Sequence, residues 1–186
     1  MRETELQPPP TEADLVRNGF AEVFDRYYEH IYAYASRRLG PDLGEDVAAE
    51  TFLVAYDRRD TFDPARTEAR PWLYGIAANL IMRHARAEAR RYRALARGAE
   101  PGEGPDTADE IVGRVDARVA RGKLAEALRR LAAPDREVLL LIAWAGLNQQ
   151  EAAAALGIPP GTARSRLHRA RQAMRKALGT DKEEQP

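Results

Sequence analysis

The stretch from Asn148 to Lys176, NQQEAAAALGIPPGTARSRLHRARQAMRK, constrains the fold of this chain more than any other. Asn148, with Glu151 three residues on, forms an Asn version of the capping box, whose side chains satisfy the free N–H groups at a helix start. An Ala-rich run ends at Leu156. Gly157 then offers the left-handed residue that closes a helix. Pro159 and Pro160 lack a backbone N–H and fit the first turn of a second helix better than its interior. The spacing predicts two helices joined by a tight turn, a helix-turn-helix.

Rotating the second helix by about 100° per residue separates its faces. Ala163, Leu167, Ala170, Met174 and Leu178 share a stripe expected to pack on the first helix. Opposite them lie Ser165, His168, Arg169 and Gln172, each able to donate hydrogen bonds to base edges in a major groove. Arg164, Arg171 and Arg175 occupy one flank and Arg166 the other, where the phosphates of a duplex would lie. No Asp or Glu occurs between Arg164 and Lys176. A solvated basic helix in a bundle is the plainer alternative, but it leaves the cap, the glycine and the double proline in register unexplained. Duplex DNA is therefore the expected ligand.

With 186 residues, 44% of them hydrophobic, the chain suffices for one or two small domains. Cysteine is absent, and His30, His84 and His168 are too far apart in sequence for a local metal cluster, so neither disulfide nor metal or other cofactor is expected. The opening MRETELQPPPTEADL lacks the apolar run of a signal peptide, and no stretch approaches a membrane span. A cytoplasmic protein is expected.

The 29 basic residues balance 29 acidic ones, but they are not evenly spread. Arg83, Arg86, Arg90, Arg91, Arg93 and Arg97 crowd one segment and Arg164 to Lys176 another. Glu100, Glu103, Asp106, Asp109 and Glu110 lie between them without a cation. The pattern is two basic surfaces on an acidic tether. A chain so balanced is expected to bind duplex poorly alone and to need a partner.

The periodicities predict an all-α fold of two small helical domains joined by a flexible acidic linker. Residues 1–10 read as a disordered leader, 11–97 as the first domain, 98–115 as the Gly- and Pro-rich linker, 116–179 as the second domain and 180–186 as a tail. A short helix is expected after Thr11. Phe20, Val23, Phe24, Tyr27, Ile31, Tyr34 and Ala35 are spaced for a helix that stops at Leu39, Gly40 and Pro41. Gly44 to Asp57 reads as the next, with Val47, Thr51, Val54 and Ala55 inward and Asp46 and Glu50 on the other face.

Pro71 opens a long third helix in which Leu73, Ala77, Leu80, His84 and Ala87 form a packing stripe. On a neighbouring face Trp72, Asn79, Arg83, Arg86 and Arg90 fall within about 40° of one another. Unpaired bases stack on aromatic rings while arginines hold phosphates, so this face suits a single strand. A core tryptophan with solvated arginines is the alternative. In the second domain Val119, Leu124, Leu128 and Leu131 are expected inward, followed by a nearly all-apolar helix from Pro134 that is capped by Gly146.

Three stretches now stand out in order: GEDVAAETFLVAY at 44–56, PWLYGIAANL at 71–80, and APDREVLLLIAWAGLNQQEAAAALGIPPGTARSRLHRAR at 133–171. Together they resemble a bacterial sigma factor of the extracytoplasmic-function kind (group 4), a subunit that gives RNA polymerase its promoter specificity. The resemblance covers residues 11–179. It implies that the first domain is sigma region 2 and the second region 4, and that the protein has no enzymatic chemistry of its own.

The resemblance assigns roles by position. Asp46, Val47, Glu50 and Thr51 match the segment that docks on the clamp helices of the largest polymerase subunit, with Ala49 a departure where the family commonly has Gln. Phe62, Trp72 and Asn79, continued by Arg83, Arg86 and Arg90, match the surface that melts the minus-ten element and captures an unstacked base. Thr162, Arg164, Ser165, Arg166, His168, Arg169 and Arg171 match the segment that binds the minus-thirty-five duplex. Implied partners are core RNA polymerase, through those clamp helices and the flap of the second-largest subunit, promoter DNA as duplex and single strand, and an anti-sigma factor, often membrane-bound. The linker either enters the polymerase cleft or serves as a plain tether. With no domain between the linker ends and no large N-terminal extension, the small group rather than the housekeeping one is expected. A conventional helix-turn-helix regulator acting as a dimer accounts for residues 116–179 but leaves the Trp72 face idle. A helical enzyme finds no Ser/His/Asp set, phosphate-cradling glycine loop or metal spacing to support it.

Overall fold

The computed structural model describes residues 12–64, 68–96 and 115–179, with the side chains of 14–64, 68–86 and 122–179. The expected leader, most of the linker and the tail lie outside the described residues. Eight α-helices occur among those described: α1 Glu12–Asn18, α2 Phe20–Leu39, α3 Pro41–Asp57, α4 Ala69–Ala96, α5 Val115–Arg130, α6 Ala133–Ala143, α7 Gln149–Leu156 and α8 Pro160–Leu178. A 3-10 turn, Arg59–Thr61, follows α3. None of the described helices is long and apolar enough to cross a membrane.

The first half is built from α1 to α4. Ile31, Tyr34 and Ala35 of α2 meet Val47, Ala48, Thr51, Phe52 and Ala55 of α3, all essentially buried. Leu73, Ala77, Leu80 and Ile81 of α4 close this core. The α2 boundaries match the sequence reading, whereas α3 begins three residues earlier than expected. Pro41, read as a stop, instead occupies the first turn of α3, where a missing N–H costs nothing. Phe20, Phe24 and Tyr28 of α2 surround Phe52 of α3 at ring separations of 5.0–6.4 Å, and Phe20 also meets Tyr56 at 5.4 Å; Phe24, spaced with the inward residues, is nonetheless exposed.

The second half places α8 against α5, α6 and α7. Val138, Ala153, Ala163 and Leu167 form its own small core. The stripe expected on α8 holds for Ala163, Leu167 and Ala170, while Leu178 is exposed at the edge of a groove shared with Ala127 and Arg130 of α5. On α5, Leu131 is buried but Leu124 is 41% exposed, and Ala127 takes the inward position instead. Val119 lies outside the described side chains.

The two halves are packed together. Leu141, Ala145, Leu147 and Ala152 of the second half join the core cluster of the first. Gly75 of α4 lies so close to α7 that a Cβ there would sit 2.4 Å from the Ala155 carbonyl oxygen. Arg70 donates to the Ala145 carbonyl. Arg38 of α2 donates twice to Glu137 of α6, each bond 2.6 Å long. Periodicity alone marked α4 for one buried stripe. In the structure Tyr74, Gly75 and Ala78 are buried as well: α4 is covered by α7 in addition to α2 and α3, with Gly75 against Ala155 of α7 and Tyr74 edge-on to Tyr34 of α2.

Candidate nucleic-acid interface

The turn between α7 and α8 is fixed by local chemistry. Asn148 Oδ1 accepts from the backbone N–H of Gln150 and of Glu151, both at 2.9 Å, and Glu151 Oε2 accepts from the Asn148 N–H at 2.6 Å. Both halves of the capping box are therefore made. Gly157 ends α7 at φ 61° and ψ 35°, a conformation open to glycine at little cost. The N–H of Ile158 returns to the Ala153 carbonyl and that of Gly157 to Ala154, the paired bonds of a Schellman closure. Pro159 caps α8 and Pro160 occupies its first turn.

With Ala163, Leu167 and Ala170 buried, the opposite side of α8 is fixed in solvent. Arg164, Ser165, His168, Arg169, Arg171 and Gln172 are exposed there, whereas Thr162 and Arg166 are half-buried at its edges. Ser165 Oγ bonds back to the Thr162 carbonyl at 3.0 Å. Arg169 is held by Asp135 of α6, with Nε to Oδ2 at 3.0 Å and Nη2 to Oδ1 at 2.7 Å. The hydrogen bond to Asp135 raises the pKa of Arg169. Asp135 was absent from the residues singled out by sequence. It lies 34 positions from Arg169, and no local pattern ties the two.

A second surface lies on α4. Asn79, Arg83 and Arg86 are exposed and Trp72 is half-buried. Asn79 follows Trp72 by seven residues, about 10 Å along the axis. Phe62 differs from expectation, being only 2% exposed. Its ring packs against Trp72 at a tilt of 51°, with centroids 5.0 Å apart, and its carbonyl accepts from Arg17 of α1 at 3.2 Å. The side chain of Arg90 lies outside the described residues.

The third surface, on α3, is narrower than expected. Val47 and Thr51 were expected at a partner interface, but both are fully buried, and Thr51 Oγ1 donates to the Val47 carbonyl at 2.6 Å. They pack the core, while Asp46 is exposed and Glu50 half-exposed. Glu50 pairs with Arg83 and lies 3.9 Å from His84 Nε2, which links this surface to that of α4. Among the described residues no cluster of His, Asp or Glu could hold a metal ion.

Residues 23–91 match the family model for sigma-70 region 2, and residues 113–174 that for sigma-70 region 4. The ECF RNA polymerase sigma factor SigL of Mycobacterium tuberculosis is 32% identical over 170 residues, covering 90% of each chain. SigW of Bacillus subtilis, also named an ECF RNA polymerase sigma factor, is 34% identical over 170 residues, 87% of this chain and 90% of its own. Among solved structures, the sigma factor RpoE in complex with the anti-sigma factor NepR, from Bartonella quintana, aligns with a TM-score of 0.63 at 25% identity over 88% of this chain and 99% of its own. CnrH in complex with the cytosolic domain of CnrY aligns at 0.61 and 27% identity, over 91% and 96%. A region 2 match, a region 4 match and relatives of nearly the same span agree, and the chain belongs to the extracytoplasmic-function sigma factors of RNA polymerase.

Proposed function

We propose that this sigma factor, of the small group 4 architecture, divides its work among three surfaces. Sigma factors bind core RNA polymerase and direct it to promoters, and this chain shares that function. Its exposed α8 face, through Arg164, Ser165, His168 and Arg169 with Thr162, Arg166 and Arg171 at the edges, reads the minus-thirty-five duplex. The α4 face captures the melted minus-ten strand. Trp72, supported by Phe62, stacks an unpaired base, Asn79 bonds a base edge, and Arg83, Arg86 and Arg90 hold phosphates. Asp46 and Glu50 of α3 dock on the polymerase clamp helices, with Val47 and Thr51 setting the helix surface from behind. Region 4 also contacts the polymerase flap.

One observation carries this division. Gly75 of α4 is buried against α7, while further along the same helix Asn79, Arg83 and Arg86 are left in solvent, with Trp72 half-buried one turn before Gly75. The bond-breaking and bond-making of transcription belong to the polymerase, so no enzymatic step or cofactor is assigned to this chain, and it acts in the cytoplasm where polymerase and promoters are. An anti-sigma factor is the expected regulator, supported by the two similar sigma factors solved with NepR and CnrY.

The packed arrangement bears on the mechanism. The two promoter elements lie about 25 base pairs apart, about 85 Å at 3.4 Å per step. The longest helix, α4 with 28 residues, spans only about 42 Å. With α4 and α7 in contact, one molecule cannot reach both elements, so the halves separate when the holoenzyme meets a promoter.

Run-off transcription with purified core polymerase, with and without this protein, over a fragmented genomic library tests the function. New start sites sharing two spaced motifs are expected. If core polymerase neither binds the protein nor starts anywhere new, while the free protein binds duplex operators as a dimer, the conventional regulator replaces this reading.

A further inference from the structure

Arg169 stands on the exposed face of α8, its side chain 56% exposed, yet its guanidinium is not free to swing. Asp135, in the first turn of α6 with its side chain 12% exposed, grips it through two bonds. A carboxylate at a helix start is favoured by the helix dipole.

The geometry of the grip matters. A guanidinium carries five N–H donors in a rigid planar fork. Asp135 takes the Nε–H and one Nη2–H, the side edge of that fork. The remaining donors, both on Nη1 and the outer one on Nη2, point from the end of the side chain. That end presents two parallel N–H bonds, the pattern that pairs with O6 and N7 of guanine in a major groove.

We propose that Asp135 is a positioning residue for promoter recognition, holding Arg169 by one edge so that its end fork is presented to a guanine of the minus-thirty-five element. This rests on the reading of α8 as the minus-thirty-five helix. The pairing also separates specificity from charge. With its cation matched by a carboxylate, Arg169 adds little to the general attraction of α8 for phosphates, which falls to Arg164, Arg166 and Arg171. Removing the Asp135 charge therefore has two opposite effects: guanine selection weakens, while attraction to DNA of any sequence strengthens.

The test uses holoenzyme assembled from core polymerase and the full chain, with binding measured by competition among promoters randomised across the minus-thirty-five element. Wild type, Arg169→Ala, Asp135→Asn and Asp135→Glu are compared, with thermal melting of each free chain as a check on folding. Asp135→Asn is nearly isosteric and keeps one acceptor. It is expected to reduce guanine discrimination at one position about tenfold, while binding to unrelated duplex is unchanged or tighter. Asp135→Glu keeps the charge but displaces the fork by a methylene, so it is expected to lose discrimination without the gain on unrelated duplex. Equal loss on all sequences would make Asp135 merely structural and overturn the proposal, as would discrimination that survives both Asp135 variants while Arg169→Ala erases it. If Arg169→Ala itself leaves every base preference intact, the base-reading role of Arg169 fails, and the role of Asp135 with it.

Discussion

Arg38 and Glu137, 99 residues apart in sequence, meet end to end, Nη1 to Oε2 and Nη2 to Oε1, both at 2.6 Å. Their side chains are 9% and 3% exposed, and Arg38 Nη1 also donates to the Tyr34 hydroxyl at 3.0 Å. Burial disfavours the Arg38 charge, but the hydrogen bonds it donates to Glu137 and Tyr34, with their electrostatic attraction, outweigh this and raise its pKa. This pair clasps α2 to α6, and so region 2 to region 4.

A buried pair adds little net stability compared with apolar residues of the same size, but breaking it from one side leaves a stranded charge. Arg38→Met is therefore expected to cost about 3–5 kcal/mol, whereas Arg38→Met with Glu137→Leu restores most of that loss. Urea denaturation of the three proteins checks the order. The chain has no cysteine, so Asp25→Cys and Ala173→Cys can be labelled cleanly for distance measurement. The single Arg38→Met variant is expected to show a longer α2 to α8 distance than wild type. An unchanged distance would mean that apolar packing alone keeps the halves together.

Tyr34 gives this interface a pH dependence. Burial pushes its pKa from 10.0 to about 12, partly opposed by Arg38. The folded state thus retains a proton that the unfolded state loses. Its contribution is fully present below pH 10 and is lost as the pH rises towards 12, a fall of about 2–3 kcal/mol. Denaturant midpoints between pH 8 and 12 are expected to drop along this window in the wild type and less steeply in Tyr34→Phe, which removes the titrating hydroxyl and keeps the ring edge-on to Tyr74. Equal slopes in the two proteins would assign the loss to other groups, such as Tyr74, whose pKa burial also raises.

Gly75 offers a test of sign. In a helix interior Gly→Ala ordinarily stabilises by about 1 kcal/mol. Here the new Cβ would lie 2.4 Å from the Ala155 carbonyl oxygen, which is backbone and cannot rotate away. Gly75→Ala is expected to destabilise by about 1–3 kcal/mol, read from the denaturant midpoint. A stabilised variant would show that α4 and α7 are not in contact in solution.

The helix-turn-helix was legible because its signals are local: a cap three residues long, one left-handed glycine, and prolines at the start of α8. The exposed faces of α4 and α8 were legible for a related reason, since rotation along one helix needs no knowledge of its neighbours. Periodicity says that a side is buried but not what buries it. Gly75 therefore gave no warning that α7 would cover it. Val47 and Thr51 carried both an inward periodicity and a family resemblance at the same positions, and their burial follows the periodicity. The ion pairs Arg38–Glu137 and Asp135–Arg169 join separate helices, and nothing in the order of residues brings either pair together.

Asn79 separates base capture from every other role of α4. It is exposed, one helical turn beyond the contact that Gly75 makes with α7, so Asn79→Ala removes an edge donor and acceptor without opening the core. Stability and affinity for core polymerase are expected to remain within error of wild type. Preference within the minus-ten element is expected to weaken at a single position by about 1–3 kcal/mol, the range for a base-edge contact. Trp72→Ala should instead reduce open-complex formation on all promoters, because every base can stack on an indole and its removal also uncovers Phe62. Permanganate footprinting of the melted strand, combined with binding to minus-ten libraries, distinguishes the two. An Asn79→Ala protein with unaltered preference would remove the base-capture role and leave the α4 face as a phosphate track.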